Sequence, residues 1–373
     1  MNTAESSYTL YALPHSLYSG KARSYLRYKG IPYRETVSTF RVFYKTIIPR
    51  TGVKFIPVLH SPDDVVVQDT TEIIDFLEAR FPQHPVYPPT PRQKLVSLLF
   101  ELYGDEWLLI PAMHYRWSFW HEKAHIYDVL EHFGMLLSPR APRLLRRYAG
   151  KRFCRPFSGS LPYLGIHPHN IAALEAWYEG FIRDMSAHFA RHPYLLGGRA
   201  SIGDFGLMGP LYAHLGRDFH PKALMQAQAP HLYEWVQRMN RVPQVGEFLA
   251  GDAVPDTLLP VLRHMFAEHF PLLLDSVRRL ETWLDQHPDR HIPRVIGDHE
   301  FVLGGVKAQR KIFPYSQWML QRPLDYYQSL QGAGKAAADA LLRQVGGFEA
   351  MQTRIRRRLR RVNNRLVADP PKG

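Results

Sequence analysis

Two serines, Ser16 and Ser19, have the side-chain type and the placement to stabilise an anion. They lie in the loop between a stretch that predicts a strand, Tyr8–Ala12, and a stretch that predicts a helix ending at Gly30. A polar loop that leads from a strand into a helix faces the helix N-terminus. The free backbone N–H groups and the dipole there favour negative charge. Either hydroxyl could serve such an anion, and either could equally cap the helix.

The elements that must position these serines follow an alternating α/β pattern. The sequence predicts a second strand at Tyr33–Val37 and a hairpin of two more at Lys54–Leu59 and Val65–Val67. Asp69 and Glu72 have the spacing of a capping box, which predicts a helix to about Arg80. The order strand, helix, strand, helix, strand, strand, helix predicts a thioredoxin-like domain over residues 1–82.

The rest of the chain has a helical pattern. A proline-rich linker follows residue 82, and residues 92–248 predict an all-α domain that contains an insert at about 121–169. Residues 250–373 predict a helical extension with a basic C-terminal end. Its last helix is predicted from Lys335 to Val367.

The net charge of +13 is concentrated in two segments. Arg140–Pro156 holds seven basic residues and no acid, and Ala350–Gly373 holds eight basic residues and one acid. The remainder is near neutral, which argues against a specific nucleic-acid-binding fold. Each basic segment is first interpreted as a solvated helix face. The basic C-terminal helix could also make a peripheral contact with an anionic membrane.

The composition excludes several other classes of protein. The single cysteine, Cys154, excludes an intramolecular disulfide and a zinc site built from several cysteines, and no metal is expected. No apolar run is long enough for a membrane span. The N-terminus lacks a signal-peptide pattern, so the sequence predicts a cytoplasmic protein.

Four motifs resemble those of the glutathione S-transferase (GST) family, in the order that the family has them. They are Ser16-Leu17-Tyr18-Ser19 followed by Lys29-Gly30-Ile31-Pro32-Tyr33, then Ile56-Pro57-Val58-Leu59, then Asp69-Thr70-Thr71-Glu72-Ile73-Ile74, and finally Tyr194-Leu195-Leu196-Gly197-Gly198-Arg199-Ala200-Ser201-Ile202-Gly203-Asp204. The resemblance covers about 8–120 and 170–248. It implies a thioredoxin-like α/β N-terminal domain followed by an all-α C-terminal domain, here with extra C-terminal helices.

The family resemblance also implies a reaction. Glutathione, as a co-substrate, would be joined through its thiolate to a small hydrophobic electrophile in a detoxification reaction, by a protein that is commonly a homodimer. A free thiol has a pKa near 8.5, and lowering it by two units needs about 2.7 kcal/mol of differential stabilisation. A hydroxyl hydrogen bond together with a helix N-terminus can supply an effect of that size.

The site residues follow from the resemblance, motif by motif. Ser16 would stabilise the thiolate, with Ser19 and Tyr11 as alternatives. The cysteinyl part of glutathione would lie along Ile56 and Pro57, with Pro57 in the cis form. The γ-glutamyl end would meet Gln68, Asp69 and Thr70, and either Lys54 or Arg41 could meet the glycine carboxylate.

Two other functions remain open at this stage. A non-catalytic binding or scaffold protein on the same fold, similar to metaxins, would act through its insert and its C-terminal extension. A glutathione-dependent thiol reductase is disfavoured, because neither Ser16 nor Ser19 is a thiol.

Overall fold

A computed structural model describes residues 7–241, 246–288 and 291–369. The sequence predicts a helix over Pro230–Val242, and Val242 lies outside these ranges. Lys372 of the basic C-terminal segment lies outside them as well.

The N-terminal domain is built on a four-stranded mixed sheet, as predicted. Its strands are β1 (Tyr8–Ala12), β2 (Tyr33–Val37), β3 (Val58–His60) and β4 (Val66–Gln68), in the order β2-β1-β3-β4. β1 and β2 are parallel, and the other two pairs are antiparallel. β3 begins after Pro57, four residues later than predicted, because proline has no N–H group to donate to the ladder.

The helices of this domain confirm the predicted order of elements. They are α1 (Leu17–Tyr28), α2 (Phe40–Val42), α3 (Ile48–Thr51) and α4 (Thr70–Arg80), with a π-helical turn between α2 and α3. Ser16 caps α1, and the chain leaves the helix through Gly30, whose φ of +63° suits a residue without a Cβ atom. Ala22, Tyr25 and Leu26 are buried, and so are most other residues of α1.

The second domain is helical, as predicted. Its helices are α5 (Pro91–Leu102), α6 (Leu109–Trp117), α7 (Lys123–Gly134), α8 (Arg143–Phe153), α9 (Arg155–Ser158), α10 (Ile171–Phe189), α11 (Ile202–Ala213), α12 (Phe219–Gln228) and α13 (Pro230–Met239). The insert contributes α7, α8 and α9. The predicted capping box of α11 is present: Ser201 and Asp204 bond each other's backbone N–H groups. Asp204 also accepts from Leu195 N and Trp235 Nε1, so its role is structural.

The C-terminal extension contains the extra helices that the sequence predicts, and two β-hairpins that it does not. The elements are α14 (Leu259–His264), α15 (Phe270–Gln286), β5 (Asp298–Leu303), β6 (Val306–Lys311), α16 (Pro314–Ser329), α17 (Gly332–Gln344), α18 (Phe348–Met351), β7 (Leu359–Val362) and β8 (Arg365–Ala368).

The prediction of one last helix from Lys335 to Val367 is wrong. The helix ends at Gln344, and Gly346 takes a φ of +75°. The arginine-rich part forms the hairpin β7–β8, whose two turn residues, Asn363 and Asn364, both have positive φ. Asparagine tolerates that conformation well, and two such residues form a tight hairpin turn.

The basic C-terminal helix that was predicted to approach a membrane is therefore absent from the described part of the chain. The arginines of this region are mostly paired with acids of the same molecule. The pairs are Arg356–Asp285, Arg357–Asp285, Arg358–Asp325, Arg360–Asp369 and Arg361–Glu72. This pairing reduces the positive charge that the segment presents to an anionic surface, and Arg354 and Arg365 are the exposed arginines without an ion pair among the described residues.

The extension shares one hydrophobic core with the two domains. Buried apolar side chains continue from Leu10 of β1 through Leu99 of α5 to Leu320 of α16. Over the ranges that the structure describes, no helix combines the length and the apolar character needed to cross a membrane.

Candidate functional site

Strand register brings the predicted site residues to one edge of the sheet. Tyr11 of β1 lies opposite Val58 of β3, and Val58 lies opposite Gln68 of β4. The loop that carries Ser16 follows β1, the Ile56–Pro57 peptide precedes β3, and Asp69 follows β4. All three segments therefore meet beside the N-terminus of α1.

Ser16 and Ser19 have different surroundings. Ser16 is half-buried at the N-cap of α1, where its hydroxyl oxygen accepts a hydrogen bond from Ser19 N at 3.3 Å. Ser19 is fully buried, and its oxygen accepts from Leu13 N at 3.3 Å. Ser19 thus stabilises the loop from inside, and Ser16 is the hydroxyl that borders the helix N-terminus. Its role toward a thiolate stays a prediction.

The residues expected to flank glutathione lie near this loop. The Ile56–Pro57 bond is cis, with Pro57 buried and Ile56 half-buried. Tyr11 is half-buried on β1. Lys54 is exposed, with its ammonium 5.7 Å from the centre of the Tyr44 ring. Contact of any of these residues with a ligand stays a prediction.

The segment Gln68–Thr70 has an unusual backbone. Asp69 has a φ of +90°, and its carboxylate caps α4 by accepting from Thr71 N at 2.9 Å. A non-glycine residue in this conformation carries ~1–3 kcal/mol of strain, and such strain often marks a functional site. The predicted capping box is incomplete, because Glu72 binds an arginine instead of the N-cap backbone.

That arginine is Arg361, on the hairpin β7–β8. One of its nitrogens, Nη1, lies 2.7 Å from Glu72 Oε2 and 3.6 Å from Asp69 Oδ2. Nη1 also donates to the Gln68 carbonyl at 3.1 Å, and Nη2 donates to the Gln68 side chain. The Arg361 side chain is only 5% exposed. Its guanidinium therefore fills the polar pocket beside Gln68 and Asp69.

A second residue of the extension, Tyr315 of α16, occupies the same pocket. Its hydroxyl donates to Asp69 Oδ2 at 2.6 Å. Burial, and then the Asp69 carboxylate, hold the pKa of Tyr315 well above its usual range, so Tyr315 remains a neutral donor. Gln68, Asp69 and Thr70 are all buried as a result. Sequence reasoning missed both residues, because no local pattern links positions that are more than two hundred residues apart.

Hydrogen bonds hold the hairpin β7–β8 in place at its base and at its tip. At its base, Leu359 N donates to Gln321 Oε1 at 2.8 Å, and Gln321 Nε2 donates back to Leu359 O at 2.7 Å. At its tip, the Asn364 amide donates to Thr51 O at 2.9 Å. The hairpin thus bridges from α16 to the end of α3 across the pocket.

The sequence offers five aromatic residues that could line an electrophile pocket between the domains, although core packing is the first interpretation of most of them. All five are buried, as core packing requires: Tyr103, Trp107, His114, Tyr115 and Trp117. The insert also covers the loop, because Phe133 of α7 packs on His15 with ring centres 4.5 Å apart. Arg116 donates to His15 O at 2.7 Å.

A buried network of charges lies behind the pocket. Lys21 of α1 is bonded to Glu101 at 3.0 Å and to Asp105 at 2.6 Å. Burial by itself would lower the pKa of Lys21, but the two carboxylates hold it above its usual range. From the extension, Arg322 approaches Glu101 at 3.3 Å. This network therefore joins both domains and the extension.

Comparison with protein families identifies both domains. The profile described as "Glutathione S-transferase, N-terminal domain" matches residues 10–85, and the profile described as "Glutathione S-transferase, C-terminal domain" matches residues 172–243. Comparison with curated protein sequences finds no match.

Several solved structures are similar in part. A glutathione S-transferase from Rhodospirillum rubrum F11 is 17% identical over 67% of this chain and 96% of its own, with a TM-score of 0.39. One from Methylobacterium radiotolerans, in complex with glutathione sulfonate, is 18% identical over 65% and 99%, with a TM-score of 0.40. A beta-etherase from Sphingobium is 18% identical over 64% and 96%, with a TM-score of 0.42.

Proposed function

Because this chain belongs to the glutathione S-transferase family through its N-terminal and C-terminal domains, we propose that it acts as a non-catalytic binding protein on that fold. Its own C-terminal hairpin holds the glutathione site closed, and its insert and extension supply the surfaces for other partners. The observation that carries the proposal is the occupation of the Gln68–Glu72 pocket by Arg361 and Tyr315.

Charge supports this proposal. In the glutathione-binding hypothesis, Asp69 and its neighbours meet the ammonium of the γ-glutamyl group. The Arg361 guanidinium, which is also a cation, already lies beside the carboxylates of Asp69 and Glu72. Glutathione would therefore have to displace Arg361 and open the hairpin, and the free energy of that opening is subtracted from its binding free energy. A cost of ~3 kcal/mol weakens an apparent affinity by roughly 150-fold.

The packing on the other side of the Ser16 loop also supports the proposal of a non-catalytic binding protein. An electrophile needs a cavity next to the thiol, but Phe133 packs on His15 of that loop, and Trp117 of α6 packs on Phe133. The α4 face of the first domain is covered as well, by α16 and the hairpin β7–β8. A homodimer formed through that face would require the extension to move away.

Glutathione titration of the full chain tests the proposal. Calorimetry and thiolate absorbance would be followed for the wild type, for Arg361→Ala and for Arg354→Ala, the last being a matched loss of one exposed arginine of the same segment. We expect no saturable binding at millimolar glutathione for the wild type and Arg354→Ala, and measurable binding for Arg361→Ala. Saturable binding by the wild type with an intact hairpin would contradict the proposal.

The second candidate is a glutathione transferase that conjugates glutathione to a hydrophobic electrophile, as in detoxification. The half-buried Ser16 hydroxyl at the N-terminus of α1 favours it. In that case bound glutathione would ionise well below its free pKa of about 8.5, and Ser16→Ala would abolish the shift. Conjugation that disappears in Ser16→Ala would establish this candidate in place of the first.

The proposal also covers the domain limits, the cellular compartment and the expected absence of a metal. The domain limits are taken as 1–82, 92–248 with an insert at about 121–169, and 250–373. The compartment is taken as cytoplasmic. We expect no metal in either candidate function. The described residues contain no group of three or more metal-ligating side chains that could hold one.

A further inference from the structure

The insert carries a surface that the glutathione site does not use. The α8 outer face consists of Leu144, Leu145, Tyr148, Lys151 and Arg152, which recur every three to four residues along the helix. Leu144 is 77% exposed, Tyr148 is 81% exposed and Leu145 is 47% exposed. Large apolar side chains grouped on one helix face typically mark an interaction surface.

Close backbone packing of α8 on α7 leaves the α8 outer face exposed to solvent. Gly134 of α7 and Gly150 of α8 let the two backbones touch: a Cβ atom at Gly150 would lie 2.0 Å from Leu130 O, and one at Gly134 would lie 2.2 Å from Arg146 O. The buried residues of α8 are Ala149 and Gly150. The small side of α8 therefore packs on α7, and its large side chains are left for another partner.

The charge around the face is mostly positive. Arg143, Arg146 and Arg147 lie near Glu131, which offsets part of their charge. Among the residues that the structure describes, no acid forms an ion pair with Arg140, Lys151, Arg152 or Arg155. No acid occurs between Arg140 and Pro156 in the sequence. The exposed leucines and tyrosine are thus bordered by unneutralised cations.

We infer that the α8 outer face docks on an anionic phospholipid surface. Apolar side chains flanked by lysine and arginine suit the boundary between headgroups and acyl chains, where the cations meet lipid phosphates and the leucines leave water. A second copy of this chain is a poor occupant, because two strongly positive faces would repel each other. Nucleic acid would use the cations but would leave Leu144 and Leu145 in water.

The inference differs from the membrane contact expected at the C-terminus, where the arginines are paired with acids. It is also independent of whether glutathione binds, because none of the α8 face residues is part of that pocket.

Vesicle co-sedimentation of the full chain tests the inference. Vesicles of phosphatidylcholine containing ~30% phosphatidylserine would be compared with vesicles of phosphatidylcholine alone. We expect the chain to sediment with the anionic vesicles and to dissociate as salt rises, because salt screens the exposed cations. Absence of sedimentation, or equal sedimentation with both vesicle types, would overturn the inference.

Three variants locate the contact. Leu144→Ser/Tyr148→Ser removes the apolar part, and Lys151→Glu/Arg152→Glu reverses the charge; each is expected to weaken partition at least ~tenfold. The control Arg191→Glu/Arg354→Glu makes the same charge change at two exposed positions elsewhere and is expected to bind like the wild type. All these side chains are exposed, so thermal unfolding should be unchanged.

The remaining outcomes also decide the question. Equal loss in the control, or no loss in either α8 variant, would show that the face is not the contact and would overturn the inference. A gel shift with duplex DNA that the α8 variants abolish, together with the absence of vesicle binding, would also overturn the inference. Glutathione titration of the α8 variants should match that of the wild type, which separates this inference from the proposed function.

Discussion

At the scale of single residues, the chemistry of the site depends on which hydrogen-bond partner each polar side chain has. Asp69 combines a strained backbone, a helix cap and a hydrogen bond from Tyr315. Each of its two carboxylate oxygens already accepts a hydrogen bond inside the chain, so a ligand would have to compete with these partners. Ser16, by contrast, only accepts one bond from the backbone, as far as the described residues show.

Glu106 gives the clearest pH dependence at this scale. Burial raises its pKa to about 7, although the Ser316 hydroxyl and the nearby Arg310 favour its charged form. Since its pKa in the unfolded chain is near 4.5, the folded protein binds the extra proton between pH 4.5 and 7. We therefore expect this group to make the free energy of unfolding fall by at most ~3 kcal/mol as pH rises through that window.

Glu106→Gln measures this contribution. The neutral amide keeps the shape of the side chain and removes its titration. Urea denaturation at several pH values should show the wild type losing stability relative to Glu106→Gln as pH rises from 4.5 to 7. Parallel stability curves for the two proteins over that range would contradict the assignment.

At the scale of elements, the hairpin β7–β8 decides the state of the glutathione pocket. It carries Arg361 at the centre and depends on a two-residue turn, Asn363–Asn364, whose φ values are +49° and +62°. Only glycine and a few residues such as asparagine adopt this conformation readily, whereas a β-branched side chain is strained there.

Asn363→Val is expected to loosen the hairpin by ~1–2 kcal/mol, while Asn363→Gly should be close to neutral. Asn363 is exposed, so neither change disturbs the core. Amide hydrogen exchange over 359–368 provides the measurement, with faster exchange expected in the valine variant alone. Equal protection in the two variants would mean that the turn does not limit the stability of the hairpin.

At the scale of the whole molecule, the extension is part of one folded unit. Lys21 joins α1 to α5, and Arg322 of α16 reaches both Glu101 of α5 and Asp75 of α4. The same region shares a continuous hydrophobic core. The extension therefore behaves as an integral layer against the first two domains and not as a separate domain on a linker.

Lys21→Met tests this coupling. It leaves Glu101 and Asp105 buried without their shared cation, and we expect it to cost ~3–5 kcal/mol of stability. Arg80→Met, which removes an exposed pair with Asp63, is the matched control and should cost at most ~1 kcal/mol. Chemical denaturation gives both values. A loss of under 1 kcal/mol in Lys21→Met would argue against a coupled network.

The sequence by itself determined the elements that depend on local signals. Periodicity and caps gave the order of the first domain, the capping box of Ser201 and Asp204, and the family motifs, because each signal lies within a few residues. It failed at Asn363–Asn364, where a turn was hidden inside a basic stretch that was interpreted as helical.

Only the tertiary structure determined which residues of the extension contact Gln68 and Asp69. Arg361 lies 293 positions after Gln68, and Tyr315 lies 246 positions after Asp69. Such pairings follow from how α16 packs on α5 and where that leaves the hairpin, and no local pattern encodes them. The same holds for the two basic segments: they are alike in charge, yet acids of the fold pair with five arginines of the C-terminal segment, whereas three arginines of the insert share the single acid Glu131.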